Sequence, residues 1–195
     1  MSTAKGKRNG RAMTLLFLYG PPASGKTTIG QKIAEQTGYR FFFNHLTVPA
    51  AKAIFPGASA LHDDPRYHAL LHHLRYDALE AAAAAGFDTI FTLAYSGAVD
   101  NNMVAELVEL FESRGGRVCF AELHAPKDVL MWRVIDPSRA ALRLGKMTSR
   151  EHLRHALATR DMTASVPYPN VLKIDTSTCT PSEAAQQIIK TFDLV

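Results

Sequence analysis

The chain has 195 residues, enough for one domain with a substantial core. Apolar residues make up 47% and charged residues 21% of the chain, and no apolar run approaches the length of a membrane span. The net charge of +4 is compatible with an anionic ligand, and two cysteines are too few for a disulfide framework. These properties exclude a fibrous, membrane-spanning or disulfide-stabilised protein, and they favour a cytoplasmic one.

The basic N-terminus, residues 1–13, is predicted to be a disordered leader. Its sequence, MSTAKGKRNGRAM, is followed by no long apolar segment, so it is not a secretory signal. A solvated tail is the expectation, and contact with nucleic acid through its positive charges is the alternative. The folded domain is therefore predicted to span residues 14–195.

Apolar runs alternate with helical patterns along this domain. The first strand is predicted at 14–19 and the last helix at Thr180, where a capping box begins. The elements between them are a helix at 25–37, a strand at 39–44, helices at 46–55 and 65–85, a strand at 88–94, a helix at 99–113, a strand at 117–123, a helix at 126–135, a helix capped by Thr148, and a strand at 170–174. Such alternation predicts a three-layer α/β fold, with a five-stranded parallel sheet and helices on both faces. Ligands of these sheets bind at the carboxyl ends of the strands.

The loop after the first strand has the sequence GPPASGKT, which fits the pattern G-x-x-x-x-G-K-[ST]. Its glycines let backbone N–H groups converge on an anion, and the following helix adds its positive end. We expect Lys26 to reach the β- and γ-phosphates of ATP and the Thr27 hydroxyl to bind Mg²⁺. The predicted nucleotide-binding residues of this loop are Gly20, Ala23, Ser24, Gly25, Lys26, Thr27 and Thr28.

Positive residues cluster late in the chain. The cluster comprises Arg133, Arg139, Arg143, Lys146 and Arg150. Arg139 and Arg143 are four residues apart and therefore share a helical face. A lid at about 136–147 would exclude water and bring these guanidinium groups to the transferring phosphoryl group. The alternative interpretation is a solvated basic face.

These features together resemble the P-loop small-molecule kinases, which include nucleoside monophosphate kinases and shikimate kinases. The segments FFFNHLTV, FDTIFTLAYSG and RVIDPSRAALRLGKMTS are similar to those of shikimate kinase-like and AAA-type ATP-binding proteins. The resemblance implies an arginine-rich lid, phosphotransfer from ATP to a small-molecule hydroxyl with Mg²⁺, and an Arg133 that faces the nucleotide. Shikimate kinases carry Asp-x-Asp where this chain has Asn44-His45 and a triple glycine where it has Tyr95-Ser96-Gly97, which disfavours shikimate.

The acceptor of the phosphoryl group is expected to lie beyond the second and third strands. His45 could accept the proton of an acceptor hydroxyl, or it could bond a loop carbonyl as a structural residue. Asn44, Tyr95 and Ser96 are expected to converge with it on one cavity, which would suit a neutral, hydroxylated acceptor. A segment at about 45–67 would cover this cavity. Charge for an anionic acceptor could still come from Lys52, Arg66 and Arg75.

Two other functions stay open at this point. One is a nucleotide-binding regulator or slow ATPase, and the other is a polynucleotide or tRNA kinase-like protein, which only the basic leader suggests. The chain lacks the N-K-x-D of GTPases, and its third strand does not end in the acidic pair of mechanical ATPases. Asp88 begins that strand, at the edge far from the P-loop. Glu122, within the fourth strand, could orient a magnesium-bound water or pair with an arginine.

Overall fold

A computed structural model describes residues 12–55, 64–141 and 145–195. Its strands form one sheet in the order β2-β3-β1-β4-β5, and every neighbouring pair is parallel. The strands are β1 (Thr14–Tyr19), β2 (Arg40–Phe43), β3 (Thr89–Leu93), β4 (Arg117–His124) and β5 (Leu172–Asp175). The prediction of a five-stranded parallel sheet is confirmed.

Helices cover both faces of this sheet, as predicted. They are α1 (Lys26–Thr37), α2 (Thr47–Ile54), α3 (Pro65–Ala84), α4 (Asn101–Glu112), α5 (Lys127–Arg133), α6 (Pro137–Ala141), α7 (Arg150–Thr159) and α8 (Pro181–Phe192). Helices α1 and α8 pack on one face, and α3 and α4 pack on the other. Short 3₁₀ turns at Asn44–Leu46 and Gly97–Asp100 precede α2 and α4. None of the described helices is both long and apolar enough to cross a membrane.

The central strand β1 is buried along its whole length because it has a neighbour on each side and helices above and below. Its side chains alternate between the two faces, as the pleat of a strand requires. Leu15 and Phe17 join the core under α3 and α4, whereas Leu16 and Leu18 join the core under α1 and α8. Both cores therefore hold β1 rigidly, and the loop that follows it starts from a fixed point.

The helix ends test the capping predictions. The capping box of α8 is confirmed, because Thr180 Oγ1 accepts a hydrogen bond from the Glu183 N–H and the Glu183 carboxylate accepts one from the Thr180 N–H. The box predicted at Thr148 is wrong by one residue. Ser149 caps α7 instead, and its hydroxyl accepts a hydrogen bond from the His152 N–H.

Parts of three predicted segments lie outside the described residues. These parts are residues 1–11 of the leader, residues 56–63 of the covering segment and residues 142–144 of the lid, which include Arg143. Within the predicted leader, Met13 is described, and it is buried in the core between the sheet and α4. The ordered domain therefore begins at least one residue before the predicted start at Thr14.

Candidate active site

The loop between β1 and α1 curls tightly at the carboxyl edge of the sheet. Gly20 and Gly25 have φ angles of 140° and 94°, in the region that favours glycine. A Cβ atom at Gly20 would come 2.0 Å from the Leu123 carbonyl oxygen of β4, so no other residue fits there. Ala23 has a positive φ of 68°, and its buried side chain packs against residues of α5 and α7, including Leu130. Packing therefore holds this loop in its strained shape.

Lys26, the lysine of the motif, folds back over this loop. Its Nζ donates hydrogen bonds to the carbonyl oxygens of Gly20 and Pro21, each at 2.7 Å. The pKa of Lys26 is lowered to about 7, first by burial and then by the positive charges of Arg139 and Lys146. The ammonium group is therefore held by neutral carbonyl oxygens, with other positive charges nearby. A bound anion would offset the repulsion among these charges.

Arg139 and Lys146, from the predicted lid, complete a cluster of cations with Lys26. The Arg139 Nε donates to the Met147 carbonyl oxygen at 3.0 Å, and the Lys146 Nζ lies 5.9 Å from the centroid of the Phe43 ring. Burial lowers the pKa of both side chains. None of the three cations forms an ion pair with a carboxylate of the described residues. Because like charges repel in a poorly solvated site, this cluster is suited to a bound anion.

A cavity of about 310 Å³ lies between α2 and the lid segment. Arg139 and Lys146 line it from the lid, and Lys52 lines it from α2. Helix α2 and the segment predicted to be a lid therefore face each other across a positively lined space.

The remaining predicted nucleotide-binding residues lie at the start of α1. Ser24 is buried, and its hydroxyl accepts a hydrogen bond of 3.4 Å from the Lys26 Nζ. Thr27 and Thr28 stand in the first turn of α1, where Thr27 is partly exposed and Thr28 is exposed. Neither threonine hydroxyl bonds to another of the described residues, so the hydroxyl predicted to bind Mg²⁺ is available for a ligand.

Arg133, at the end of α5, reaches the loop that follows β5. Its two terminal nitrogens donate to the Thr176 hydroxyl at 2.9 Å and to the Thr176 carbonyl oxygen at 2.7 Å. The Thr176 hydroxyl donates in turn to the His124 carbonyl oxygen at the end of β4. Arg133 thus joins the β4 and β5 ends at the carboxyl edge. Its contact with a nucleotide stays a prediction.

His45 lies in the 3₁₀ turn after β2 and is close to Lys26, the lysine predicted to bind phosphate. Its pKa is lowered to about 4, first by burial and then by positive neighbours. These neighbours, in order of decreasing effect, are Lys26, Lys146, Arg75 and Arg139. Its Nδ1 atom is buried and is without a hydrogen-bond partner among the described residues. His45 is therefore uncharged at neutral pH and has one ring nitrogen unsatisfied, which argues against its alternative role of bonding a loop carbonyl.

The side chains expected to join His45 in one cavity lie at the ends of two strands. Strands β2 and β3 are neighbours, as that prediction required, and the Asn44 N–H donates to the Thr92 hydroxyl of β3. Tyr95, in contrast, is buried in the core against Tyr19, and its hydroxyl donates to the Asn101 side chain. The placement of Tyr95 in the cavity was wrong because a large aromatic ring beside a central strand gains more from burial than from exposure.

Two charged side chains lie on this side as well, Arg75, which the sequence analysis named as a possible source of charge, and Asp100, which it did not name. Arg75, on α3, and Asp100, at the start of α4, are partly buried near the end of β3. The Asp100 carboxylate accepts a hydrogen bond of 2.6 Å from the Ser96 N–H. Asp100 was missed because it has the sequence position of an ordinary helix cap. Arg75 had a usable signal, since it stands four residues after the buried Leu71, on the apolar side of α3.

Glu122 of β4 has a structural environment. Its carboxylate accepts hydrogen bonds from the Tyr19 hydroxyl at 3.0 Å and the Ser165 hydroxyl at 2.6 Å. Its ion-pair partner is Lys173 of β5, at 3.5 Å, instead of the predicted arginine. Burial raises the pKa of Tyr19. The Glu122 carboxylate thus fastens the segment before β5 to the sheet.

Solved structures with this fold include several kinases. A protein from Chloroflexus aurantiacus j-10-fl is 17% identical and has a TM-score of 0.70, covering 95% of this chain and 98% of its own. A sugar kinase from Janibacter sp. HTCC2649 is 21% identical with a TM-score of 0.61, covering 94% and 96%. Shikimate kinase from Acinetobacter baumannii, solved with shikimate, is 19% identical with a TM-score of 0.54, covering 92% and 93%. At these identities the likeness establishes the fold, which is that of P-loop kinases.

The sequence itself identifies the family. No curated protein matches the chain. A family model described as "AAA domain", AAA_33, matches residues 15–161, which include the P-loop, both strands of the acceptor side, the lid and α7. The match spans most of the chain and agrees with the curled loop, the parallel sheet and the cation cluster, and the chain therefore belongs to the AAA_33 family.

Proposed function

We propose that the protein is an ATP-dependent phosphotransferase that acts on a hydroxyl group of a small molecule. The observation that carries the proposal is the cluster of Lys26, Arg139 and Lys146 at the curled loop, without a carboxylate partner among the described residues. A triphosphate supplies the negative charge that this cluster lacks. The sugar kinase and the shikimate kinase that share this fold support a hydroxyl acceptor.

The residues of the loop fit a nucleotide with its metal ion. Backbone N–H groups at the start of α1 would hold the β-phosphate, and Lys26 would turn from its carbonyl partners toward the γ-phosphate. The Thr27 hydroxyl would bind Mg²⁺, which neutralises phosphate charge. Arg139 would hold the γ-phosphoryl group from the lid side, and Arg143, outside the described residues, is proposed for the same role.

The proposed reaction is an in-line displacement. The acceptor oxygen forms a bond to the γ-phosphorus, the bond from that phosphorus to the bridging oxygen breaks, and ADP leaves with the electron pair. The hydroxyl proton passes to His45 or to solvent. His45 is uncharged and therefore able to accept it, and the negative charge of a bound triphosphate would raise its pKa from the value of about 4 that its positive neighbours impose.

One observation favours a slow ATPase as the second candidate. A base with a pKa of about 4 accepts a proton poorly at neutral pH, and no carboxylate of the described residues lies at the end of β2 beside it. An enzyme without an efficient acceptor base would transfer the phosphoryl group to water slowly, or would bind the nucleotide without turnover.

A transfer assay with labelled ATP distinguishes the candidates. The protein is incubated with Mg²⁺, ATP labelled on the γ-phosphate, and either pooled metabolites or RNA. Label in a metabolite supports the proposed phosphotransferase, and release of inorganic phosphate alone supports the ATPase. Label in RNA would support a polynucleotide kinase instead. Lys26→Ala serves as the control, because any activity that survives it does not come from this loop.

A further inference from the structure

Three polar side chains meet on the acceptor side without bonding to one another. Arg75 and Tyr67 project from α3, and Asp100 stands where α4 begins. The positive charge of Arg75 lowers the pKa of both Tyr67 and Asp100, although burial outweighs this effect and raises the pKa of each. Burial also lowers the pKa of Arg75, and the Asp100 carboxylate partly offsets that change. The three groups are therefore close enough to interact electrostatically.

Arg75 and Asp100 nevertheless do not form a direct ion pair. No nitrogen of Arg75 lies within 4.0 Å of an Asp100 carboxylate oxygen. Opposite charges at a poorly solvated site attract strongly, so a separation between them is unfavourable unless something polar fills it. Arg75 is held back by α2, because its Nε donates to the Thr47 hydroxyl at 3.3 Å. Asp100 is held back by the Ser96 N–H.

Several atoms of this group are open to a ligand. Within the described part of the chain, the terminal nitrogens of Arg75, the second carboxylate oxygen of Asp100 and the Tyr67 hydroxyl have no hydrogen-bond partner. Among the described residues, the buried side-chain polar atom without a hydrogen-bond partner is His45 Nδ1. The unpaired atoms of Arg75, Asp100 and Tyr67 are therefore not fully buried. Unpaired donors of Arg75 and Tyr67 and an unpaired acceptor of Asp100 are therefore accessible near the ends of the neighbouring strands β2 and β3.

His45 is near both Arg75 and the loop that is predicted to bind phosphate. It stands two residues before Thr47, whose hydroxyl accepts the hydrogen bond from Arg75, and the charges of both Lys26 and Arg75 lower its pKa. A molecule that extends from His45 to Asp100 would present one end to the transferring phosphoryl group and the other end to the space between Arg75 and Asp100.

A hydroxyl group matches this space. It accepts a hydrogen bond from a guanidinium group and donates one to a carboxylate at the same time, which a carboxylate or phosphate group does not do. An anionic group would gain from Arg75 but would be repelled by Asp100. The positive charge of Arg160 also lowers the pKa of Asp100 and so favours its ionised form.

We propose that Arg75 and Asp100 bind the acceptor through a hydroxyl group that bridges them, and that the acceptor is an uncharged polyol or sugar. The inference rests on the proposed phosphotransferase function, because it assigns a second hydroxyl of the same acceptor. Tyr67 supplies a further hydrogen bond to that end of the molecule.

The test compares matched acceptors with Mg²⁺ and ATP. The uncharged members are sorbitol, ribitol, glucose and ribose, and the anionic counterparts are gluconate for sorbitol and ribose 5-phosphate for ribose. We expect at least one uncharged member to be phosphorylated, with a kcat/KM at least about 10-fold above that of an anionic counterpart. Transfer only to anionic members, or to none of the uncharged ones, would overturn the inference.

Two variants test the residues themselves. Asp100→Asn keeps an oxygen for the Ser96 N–H, and Arg75→Met keeps much of the side-chain volume. Each should raise the acceptor KM about 10-fold or more while the Kd for ATP changes less than about twofold. Asp100→Asn should also reduce the ratio of kcat/KM for uncharged acceptors to kcat/KM for anionic ones, because the negative charge that repels an anionic acceptor is lost. A purely structural role would not change this preference.

The matched controls are Glu109→Gln and Arg154→Met, which remove exposed charges of the same sign from α4 and α7. They should leave KM unchanged. If Asp100→Asn and Arg75→Met also leave KM and the preference unchanged, the assignment of these residues is wrong. Failure of the proposed function has a different signature: the wild-type protein would not bind ATP, or Lys26→Ala would keep full transfer activity.

Discussion

The phosphate side and the acceptor side of the candidate active site are built differently. The phosphate side is one continuous loop, Gly20–Thr27, whose shape is set by backbone geometry and by packing of Ala23 against residues of α5 and α7. The acceptor side is assembled from the end of β2, from α3 and from the start of α4, each supplying one or two side chains. A binding site for a common group can thus be encoded locally, whereas selectivity for an acceptor depends on distant parts of the chain.

The charges of the two sides differ in the same way. On the phosphate side, Lys26, Arg139 and Lys146 carry one sign, and no carboxylate of the described residues pairs with them. On the acceptor side, Arg75 and Asp100 carry opposite signs and are held apart. The first arrangement is suited to a multiply charged anion, and the second to a group that both donates and accepts hydrogen bonds.

Substitution of Lys26 tests the phosphate side most directly. Lys26→Ala should lower phosphoryl transfer by about 10³-fold, since it removes a positive donor at a site where charge develops. The fold should survive, because the lysine bonds only to the loop carbonyls and to Ser24, and the melting temperature at pH 7 should not fall. Circular dichroism and calorimetry with Mg²⁺ and ATP would measure these effects. Unchanged ATP affinity and turnover would contradict the assignment of the loop.

The next largest effect is expected at the lid. Arg139→Ala should lower kcat by about 10²-fold and raise the Kd for ATP much less, because its charge matters most while the phosphoryl group is in transfer. Arg143→Ala is expected to act in the same direction. The matched control is Arg154→Met, an exposed arginine on α7. A wild-type kcat in both lid variants would mean that the segment is only a solvated basic face.

A cheaper measurement examines the lid without substitution. Proteolytic cleavage between Asp136 and Lys146 should slow when a non-hydrolysable ATP analogue and Mg²⁺ are present, because the lid would close over the nucleotide. Equal cleavage rates with and without the analogue would argue against closure.

The phosphate side was predictable because its information is local. The strand, the glycines at Gly20 and Gly25 and the helix start at Lys26 are adjacent in sequence, and each has its own signal. The burial of β1 on both faces likewise follows from one run of apolar residues. The error at Thr148 was small, since Thr148 and Ser149 are both good helix caps and only the tertiary context selects one.

The acceptor side was not predictable in detail because its information is distributed. Asn44-His45 could be placed beside the P-loop, since the carboxyl ends of parallel strands share one edge. The burial of Tyr95 depends on the ring of Tyr19, and the position of Arg75 beside Thr47 depends on the rotation of α3. No local pattern encodes such contacts, so the sequence analysis named Arg75 only as one of three possible sources of charge and missed Asp100.

His45 is near both sides, and its substitution tests whether it acts in phosphoryl transfer or in ATP binding. His45→Ala should lower phosphoryl transfer by about 10-fold, below the usual contribution of a general base, because a pKa of about 4 makes the imidazole a weak one. The Kd for ATP should stay within about twofold of the wild-type value. Steady-state kinetics with a phosphorylated acceptor and calorimetry with ATP measure the two quantities. A loss of ATP binding that accounts for the whole defect would place His45 on the phosphate side alone.

The smallest expected effect is a pH dependence that belongs to the phosphate side. Lys26 has a pKa of about 7 without nucleotide, and a bound triphosphate favours its charged form and raises that pKa. Between the two values, binding must take up a proton, so ATP affinity should fall as pH rises, by about fivefold from pH 7 to pH 8. The terminal phosphate, with a second pKa of about 6, is already deprotonated in this range.

Calorimetry in buffers of different ionisation enthalpy measures the uptake directly. Lys26→Arg is the control, since a guanidinium stays charged throughout and should abolish the uptake. Proton uptake that persists in Lys26→Arg would assign the titration to another group and remove the electrostatic distinction between the two sides.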